Sequence, residues 1–258
     1  MELSGSERIE LRRAKSLLEH QGLAVRIATA VGAPIEKLFT KLPHDASEMV
    51  QAATTKALNA AVRSAVRGMD EAPRASTPWL HTFAVAGTGA VGGALGLATL
   101  AVELPISTVI MLRSIADIAR SEGQSVASPE VQLACLEVFA LGGRGQADDA
   151  AESGYFAVRA ALSRAMSEAA RHIAERGIAG EAAPALVRFT SKIAARFGVP
   201  VTEKVMAQSV PLIGAAGGAA INILFIKHFQ DVARGHFIVR RLEAKFGQGV
   251  VRDAYMRI

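Results

Sequence analysis

One cysteine, Cys135, and an aromatic share of only 5% are what 258 residues offer of two structure-setting side-chain classes. A single cysteine excludes an internal disulfide and any cysteine-based zinc cluster. Its apolar surroundings, VQLACLEVFALGG, predict a buried thiol in a reducing compartment. Strict alternation of β-branched or aromatic residues with polar ones is missing, which excludes a strand-rich fold. Catalytic signatures are missing too: there is no G-x-S-x-G, H-E-x-x-H, G-K-[ST] or strand-bounded G-x-G-x-x-G. The opening MELSGSERIELRRAK carries charge where a signal peptide places its apolar stretch, so a cytoplasmic location is expected.

What the chain has instead is small apolar residues. Glycine added to the 50% hydrophobic fraction brings the apolar share to roughly 59%, and 49 residues are alanine, well above the roughly 45–50% of an ordinary soluble domain. Small side chains favour helices whose backbones approach closely. The expected fold is all-α: a multi-helix bundle with a glycine-rich apolar helical hairpin at its centre. We read one helical domain over 1–258, with N-terminal helices in 1–75, the hairpin in 78–121, a polar loop in 142–154 and apolar and basic helices in 200–246.

Residues 4–31 read as a first helix, and GAPIEKLFTKLP over 32–43 as a short one between two prolines. Asp45 and Glu48 have capping-box spacing, and Leu58, Ala61, Val62, Ala65, Val66 and Met69 keep helical period. DEAPRAST, residues 70–77, is a linker, and Thr77-Pro78 begins the hairpin. A second hairpin helix follows Glu103-Leu104-Pro105 to about Arg120 and stops at Gly123. Further helices are expected from Pro129 to Leu141, over 155–176, and over 184–197 with a stop at Gly198.

Two stretches carry no charge at all, Thr82 to Val102 and Val205 to Ile226. The first has 21 residues, and a helix of that length covers about 31 Å, one bilayer core. Five glycines and three threonines make its insertion marginal, so a buried protein helix explains it equally well. Gly89 with Gly93 and Gly92 with Gly96 are spaced for close helix packing. GAAGGA at 214–219, with Gly214, Gly217 and Gly218, echoes GAVGGA at 89–94. These glycines are the candidate helix-packing or membrane-contact residues.

Glu103, Arg113, Asp117 and Asn222 are polar groups set in apolar sequence, and burial of a charge demands a partner. They form the candidate polar cluster. Residues 188–258 hold 11 basic and 4 acidic groups. Lys227, Arg234, Arg240, Arg241 and Lys245 are accordingly a candidate basic surface, suited to an anionic membrane. His228, Asp231 and His236 share a helix face, but two turns separate the histidines, so no metal site is expected. Arg144, Asp148 and Asp149 read as a solvated turn. No cofactor and no nucleic-acid partner is expected, because neither an aromatic RNP strand nor a zinc finger is present.

AVAGTGAVGGALGLATLAVELP, then MLRSIADIARSEG, then VPLIGAAGGAAINILFIKHFQDVARGHFIVRRLE resemble, in order and spacing, the signatures of the EcsC protein family; GAPIEKLFTKLP is similar to its N-terminal motif. The resemblance covers about residues 22–246. It implies a bacterial helical protein without agreed catalytic residues, named for an operon that also encodes an ABC transporter. The motif positions it marks here are Gly92, Gly93, Pro105, Arg113, Asp117, Pro211, Gly214, Gly218 and Asn222.

Three functional expectations stand. The first is a non-enzymatic protein peripheral to the inner membrane or to a membrane complex such as an ABC transporter, supporting transport or secretion. The second is a soluble helical adaptor or lipid-binding protein with both apolar runs as core. The third is an enzyme with a polar site near Glu103, Arg113 and Asp117.

Overall fold

The computed structural model of the protein describes residues 3–19, 22–32, 46–66, 100–143, 154–176, 184–208 and 214–258. These residues form nine α-helices and no strand, as the composition predicts. They are α1 (Gly5–Glu19), α2 (Leu23–Val31), α3 (Ala46–Val66), α4 (Leu100–Ser121), α5 (Pro129–Leu141), α6 (Gly154–Arg176), α7 (Pro184–Gln208), α8 (Gly214–Phe246) and α9 (Gln248–Arg257). The short helix over 32–43, Asp45 of the capping box, the linker, residues 82–99 of the first charge-free run, the loop with Arg144, Asp148 and Asp149, and Pro211 lie outside the described residues.

The single helix expected over 4–31 is two helices. α1 begins at a capping box: the Ser4 backbone N–H donates to Glu7 Oε2 at 2.8 Å and the Glu7 N–H donates to Ser4 Oγ at 3.4 Å. α2 begins after Gly22, whose ψ of 160° is extended and cannot continue a helical turn.

Two helix ends expected at Pro105 and Gly198 are also corrected. α4 starts at Leu100 and runs through Pro105, and α7 runs through Gly198 and Pro200 to Gln208. A proline inside a helix frees the carbonyl four residues earlier. For Pro105 that carbonyl belongs to Ala101, an exposed residue where water can take the bond. For Pro200 it belongs to Arg196, and that carbonyl faces Gly143 just beyond α5: a Cβ on Gly143 would stand 2.1 Å from Arg196 O. Glycine is therefore what lets the end of α5 meet α7, and the Arg196 side chain completes the joint by donating from Nε to Ala140 O at 3.1 Å. The expected stops at Gly123 and Leu141 are found. Gly123 takes φ +77°, and the Gln124 N–H closes the turn onto Ala119 O at 3.0 Å.

α8 is the spine of the bundle. Its 33 residues span about 50 Å and touch α1, α2, α4, α5, α7 and α9. Phe225 and Phe229 of α8 pack with Phe139 of α5 and Phe197 of α7, ring centroids 4.8–6.1 Å apart. Four of the ten phenylalanines thus hold three helices together. α3 lies against α4 and α7, while α6 covers α5 and α7.

Candidate functional site

α4 and α8 lie side by side, and two polar contacts fix their relative direction. Asn222 Nδ2 donates to Glu103 Oε1 at 3.2 Å, and further along both helices Gln230 Nε2 donates to Ser114 Oγ at 2.8 Å. Residue numbers rise together, so the helices are parallel. The described parts of both charge-free runs, residues 100–102 and residues 205–208 with 214–226, therefore lie toward the same end of the bundle, where α4 and α8 begin and α7 finishes.

A buried ion pair sits at that end. Lys204 Nζ of α7 lies 2.6 Å from Glu103 Oε1, with the lysine side chain wholly buried and the glutamate 6% exposed. The ammonium also stands 5.1 Å from the centre of the Phe225 ring. Burial pushes the Lys204 pKa down, opposed by the Glu103 carboxylate. Three helices are tied at one carboxylate oxygen, and Lys204 neutralises the only charge between residues 82 and 112, that of Glu103.

A second buried polar group lies further along α8. Tyr155 Oη of α6 and His236 Nδ1 are 2.9 Å apart, and His236 Nε2 is 3.6 Å from Glu137 Oε2 of α5. Arg159 makes a two-pronged contact with Glu243, 2.7 and 2.8 Å, and also donates to Tyr155 Oη at 3.3 Å. Burial drives the Glu137 carboxyl up to about 7 against the pull of Arg159 and Arg240. Burial, with the same two arginines, holds His236 well below the usual 6.5. At 3.6 Å the Glu137–His236 contact is longer than a hydrogen bond, so the two side chains are buried neighbours that share no proton. Tyr255 of α9 stacks on Tyr155 at 5.9 Å, so the last helix closes over the cluster.

Of the four polar residues singled out in the sequence, the fold gathers two. Glu103 and Asn222 meet, with Lys204 as a third member that sequence reading missed. Asp117 pairs with Arg120 one turn on, and Arg113 is exposed. Glu103 and Asp117 stand about 21 Å apart along α4, so Glu103, Arg113 and Asp117 do not form one site. The metal candidates have separate partners: His228 Nε2 contacts Gly142 O at 2.8 Å, Asp231 pairs with Arg26 at 3.2 Å, and His236 faces Tyr155. Among the described residues no group of three His, Cys, Asp or Glu side chains is placed to hold a metal. Glu137 had a signal that could have found it, as the sole charge between residues 131 and 143.

The model of the EcsC protein family matches residues 6–242, from α1 through most of α8. The chain belongs to the EcsC protein family. Nothing among the curated proteins or the solved structures matches it.

In this EcsC-family chain the basic C-terminal residues are divided between surface and interior. Lys245 pairs with Glu7 at 2.6 Å, and Arg241 with Glu10 at 3.3 Å and Glu122 at 3.0 Å, so both cations hold α8 to neighbouring elements. Arg234 and Arg240 are half-buried, while Lys227 is exposed. Gly214 and Gly217 fall in the first turns of α8 and Gly218 is buried there; Gly89, Gly92, Gly93 and Gly96 lie outside the described residues. Among the described residues no helix is long and apolar enough to cross a membrane.

The EcsC-family bundle also has a groove between the antiparallel helices α3 and α7. Two adjoining cavities of about 400 and 470 Å³ share Thr55, Ser191 and Ala194. Glu203 lines one end, its carboxyl raised by burial to about 7 while it accepts the Ala24 backbone N–H at the start of α2.

Proposed function

We propose that this EcsC-family chain is a non-enzymatic helical protein that associates with the cytoplasmic side of the inner membrane and supports a transport or secretion complex there. The observation that carries the reading is the parallel pairing of α4 and α8. It sets the described parts of two charge-free runs, residues 100–102 of the first and residues 205–208 and 214–226 of the second, at one end of the bundle, where the Glu103 carboxylate that follows the first run is neutralised by Lys204. Apolar sequence concentrated at one end suits attachment from one side of a bilayer.

Fractionation of the tagged chain from its native host tests this, followed by washes of the membranes with high salt and then alkaline carbonate. Recovery with the membranes and release by either wash is the expected result. A chain found only in the soluble fraction overturns it.

The groove between α3 and α7 favours a second reading, a soluble adaptor or lipid-binding protein. Its lining mixes Leu58, Val62 and Leu186 with hydroxyl and amide side chains. That reading expects a monodisperse protein without detergent, and binding of a fluorescent fatty acid that Ala194→Trp abolishes.

A further inference from the structure

Val102 and Ile106 are 63% and 49% exposed, and they are the one pair three or four residues apart among the exposed large hydrophobic residues described. Each helical residue turns by about 100°, so Val102, Ile106, Val109 and Arg113 fall within about 60° on one face of α4. Ala220, Ile223, Leu224 and Lys227 fall within about 100° on one face of α8. Both stripes read alike: apolar or small residues first, then an exposed cation.

The polar contacts place the stripes relative to each other. On α4 the direction of Glu103 and Ser114, which meet α8, lies about 100° ahead of the stripe; on α8 the direction of Asn222 and Gln230 lies about 110° behind it. In two parallel neighbours, opposite offsets put both stripes on the same side. One apolar face results, bounded by Arg113 and Lys227.

No acidic residue lies on either stripe. Glu103 is turned inward onto Lys204, and Asp231, one turn beyond Lys227, is paired with Arg26. An apolar face with cations at its polar edge and no acids is what an anionic lipid surface recognises: stems and apolar side chains enter the acyl boundary while charged heads stay at the phosphates.

We propose that the first turns of α4 and α8 form a lipid-contact face on which the bundle rests against an anionic bilayer, with Val102 and Ile106 entering the boundary and Arg113 and Lys227 at the headgroups. This rests on the membrane-association reading and assigns the cation role to these two residues, while Arg241 and Lys245 serve the fold.

The test is flotation of the purified full chain with phosphatidylcholine vesicles, with and without phosphatidylglycerol. Val102→Ser with Ile106→Ser is expected to weaken binding about tenfold or more, and Arg113→Gln with Lys227→Gln to remove the preference for phosphatidylglycerol. Ile9→Ser, at a more exposed position on α1, should bind as the parent does. A second readout avoids dependence on the folding of the double variants. A polarity-sensitive dye on Ile106→Cys should shift to the blue with vesicles, and on Ile9→Cys should not; the buried Cys135 stays unlabelled.

Flotation unchanged in the Val102/Ile106 variant, or a dye shift at Ile9 alone, overturns the assigned face and leaves membrane association intact. A chain that sediments with native membranes but ignores vesicles overturns the lipid surface in favour of a protein partner. Failure in both assays removes both proposals.

Discussion

Glu103 and Lys204 are 101 positions apart in sequence and 2.6 Å apart in the fold, both buried. Removal of one partner strands the other charge in the interior. Lys204→Met or Glu103→Gln is therefore expected to cost about 3–5 kcal/mol in urea unfolding at pH 7. Glu103→Leu combined with Lys204→Met should cost much less than the two single changes summed, since no orphan charge remains.

Gly143 and Gly198 should respond oppositely to alanine. At Gly143 the new Cβ meets the Arg196 carbonyl at 2.1 Å, a backbone group that no rotamer change can move aside, so α5 and α7 must move apart; a loss of about 2 kcal/mol or more is expected. At Gly198 nothing stands within 4 Å and the backbone is helical, so alanine should add about 0.5–1 kcal/mol. Thermal melts of both variants check the pair, and equal signs would refute the packing assigned here.

Stability should depend on pH through Glu137. Its folded carboxyl titrates at about 7 against an ordinary 4.5, so between these values the folded state binds more protons than the unfolded one. The contribution is complete below pH 4.5 and is lost as pH rises through about 7. The facing groups are His236, Arg240 and Glu243 on α8 and Tyr155 and Arg159 on α6. His236 acts in the opposite sense: its lowered pKa costs stability as pH falls below 6.5. Glu137→Gln is expected to gain on the parent chain by on the order of 3 kcal/mol between pH 4.5 and 8. Paired urea titrations at those two values measure it, and a constant difference between parent and variant would count against the burial of Glu137.

Cys135 is fully buried, and burial pushes its thiol up to about 12 although Arg240 and Arg120 pull it down. Without thiolate and without access, a disulfide-exchange reagent should leave the folded chain unmodified. In strong denaturant the same reagent should titrate one thiol per chain. Rapid reaction of the folded chain would mean that α5 opens locally.

Helix type and many helix ends were legible because they depend on neighbours in sequence. Pro129 and Leu141 bound α5 where the N1 proline and the glycine pair predict, and Gly123 ends the turn after α4 by taking positive φ. Pro105 and Gly198 misled for the same local reason. A proline or glycine is a stop signal only when the freed carbonyl has no other partner and the rest of the helix has no face to bury. At Ala101 water can supply the partner, and on α7 the buried Val201, Lys204 and Val205 repay the continuation past Gly198 and Pro200.

The sequence by itself determined an all-α EcsC-family chain with two charge-free runs and a carboxylate, Glu103, that needed a partner. Composition and period act locally, so they are readable along a line. Only the tertiary structure decided that the partner is Lys204, that Asn222 joins it while Arg113 turns to water, and that Glu137 and His236 meet beneath Tyr155. It also decided that Arg241 and Lys245 are held in ion pairs within the bundle. Such pairings follow from the direction in which helices pack, here the parallel course of α4 and α8, and a helix carries no record in its own periodicity of which neighbour its faces will meet.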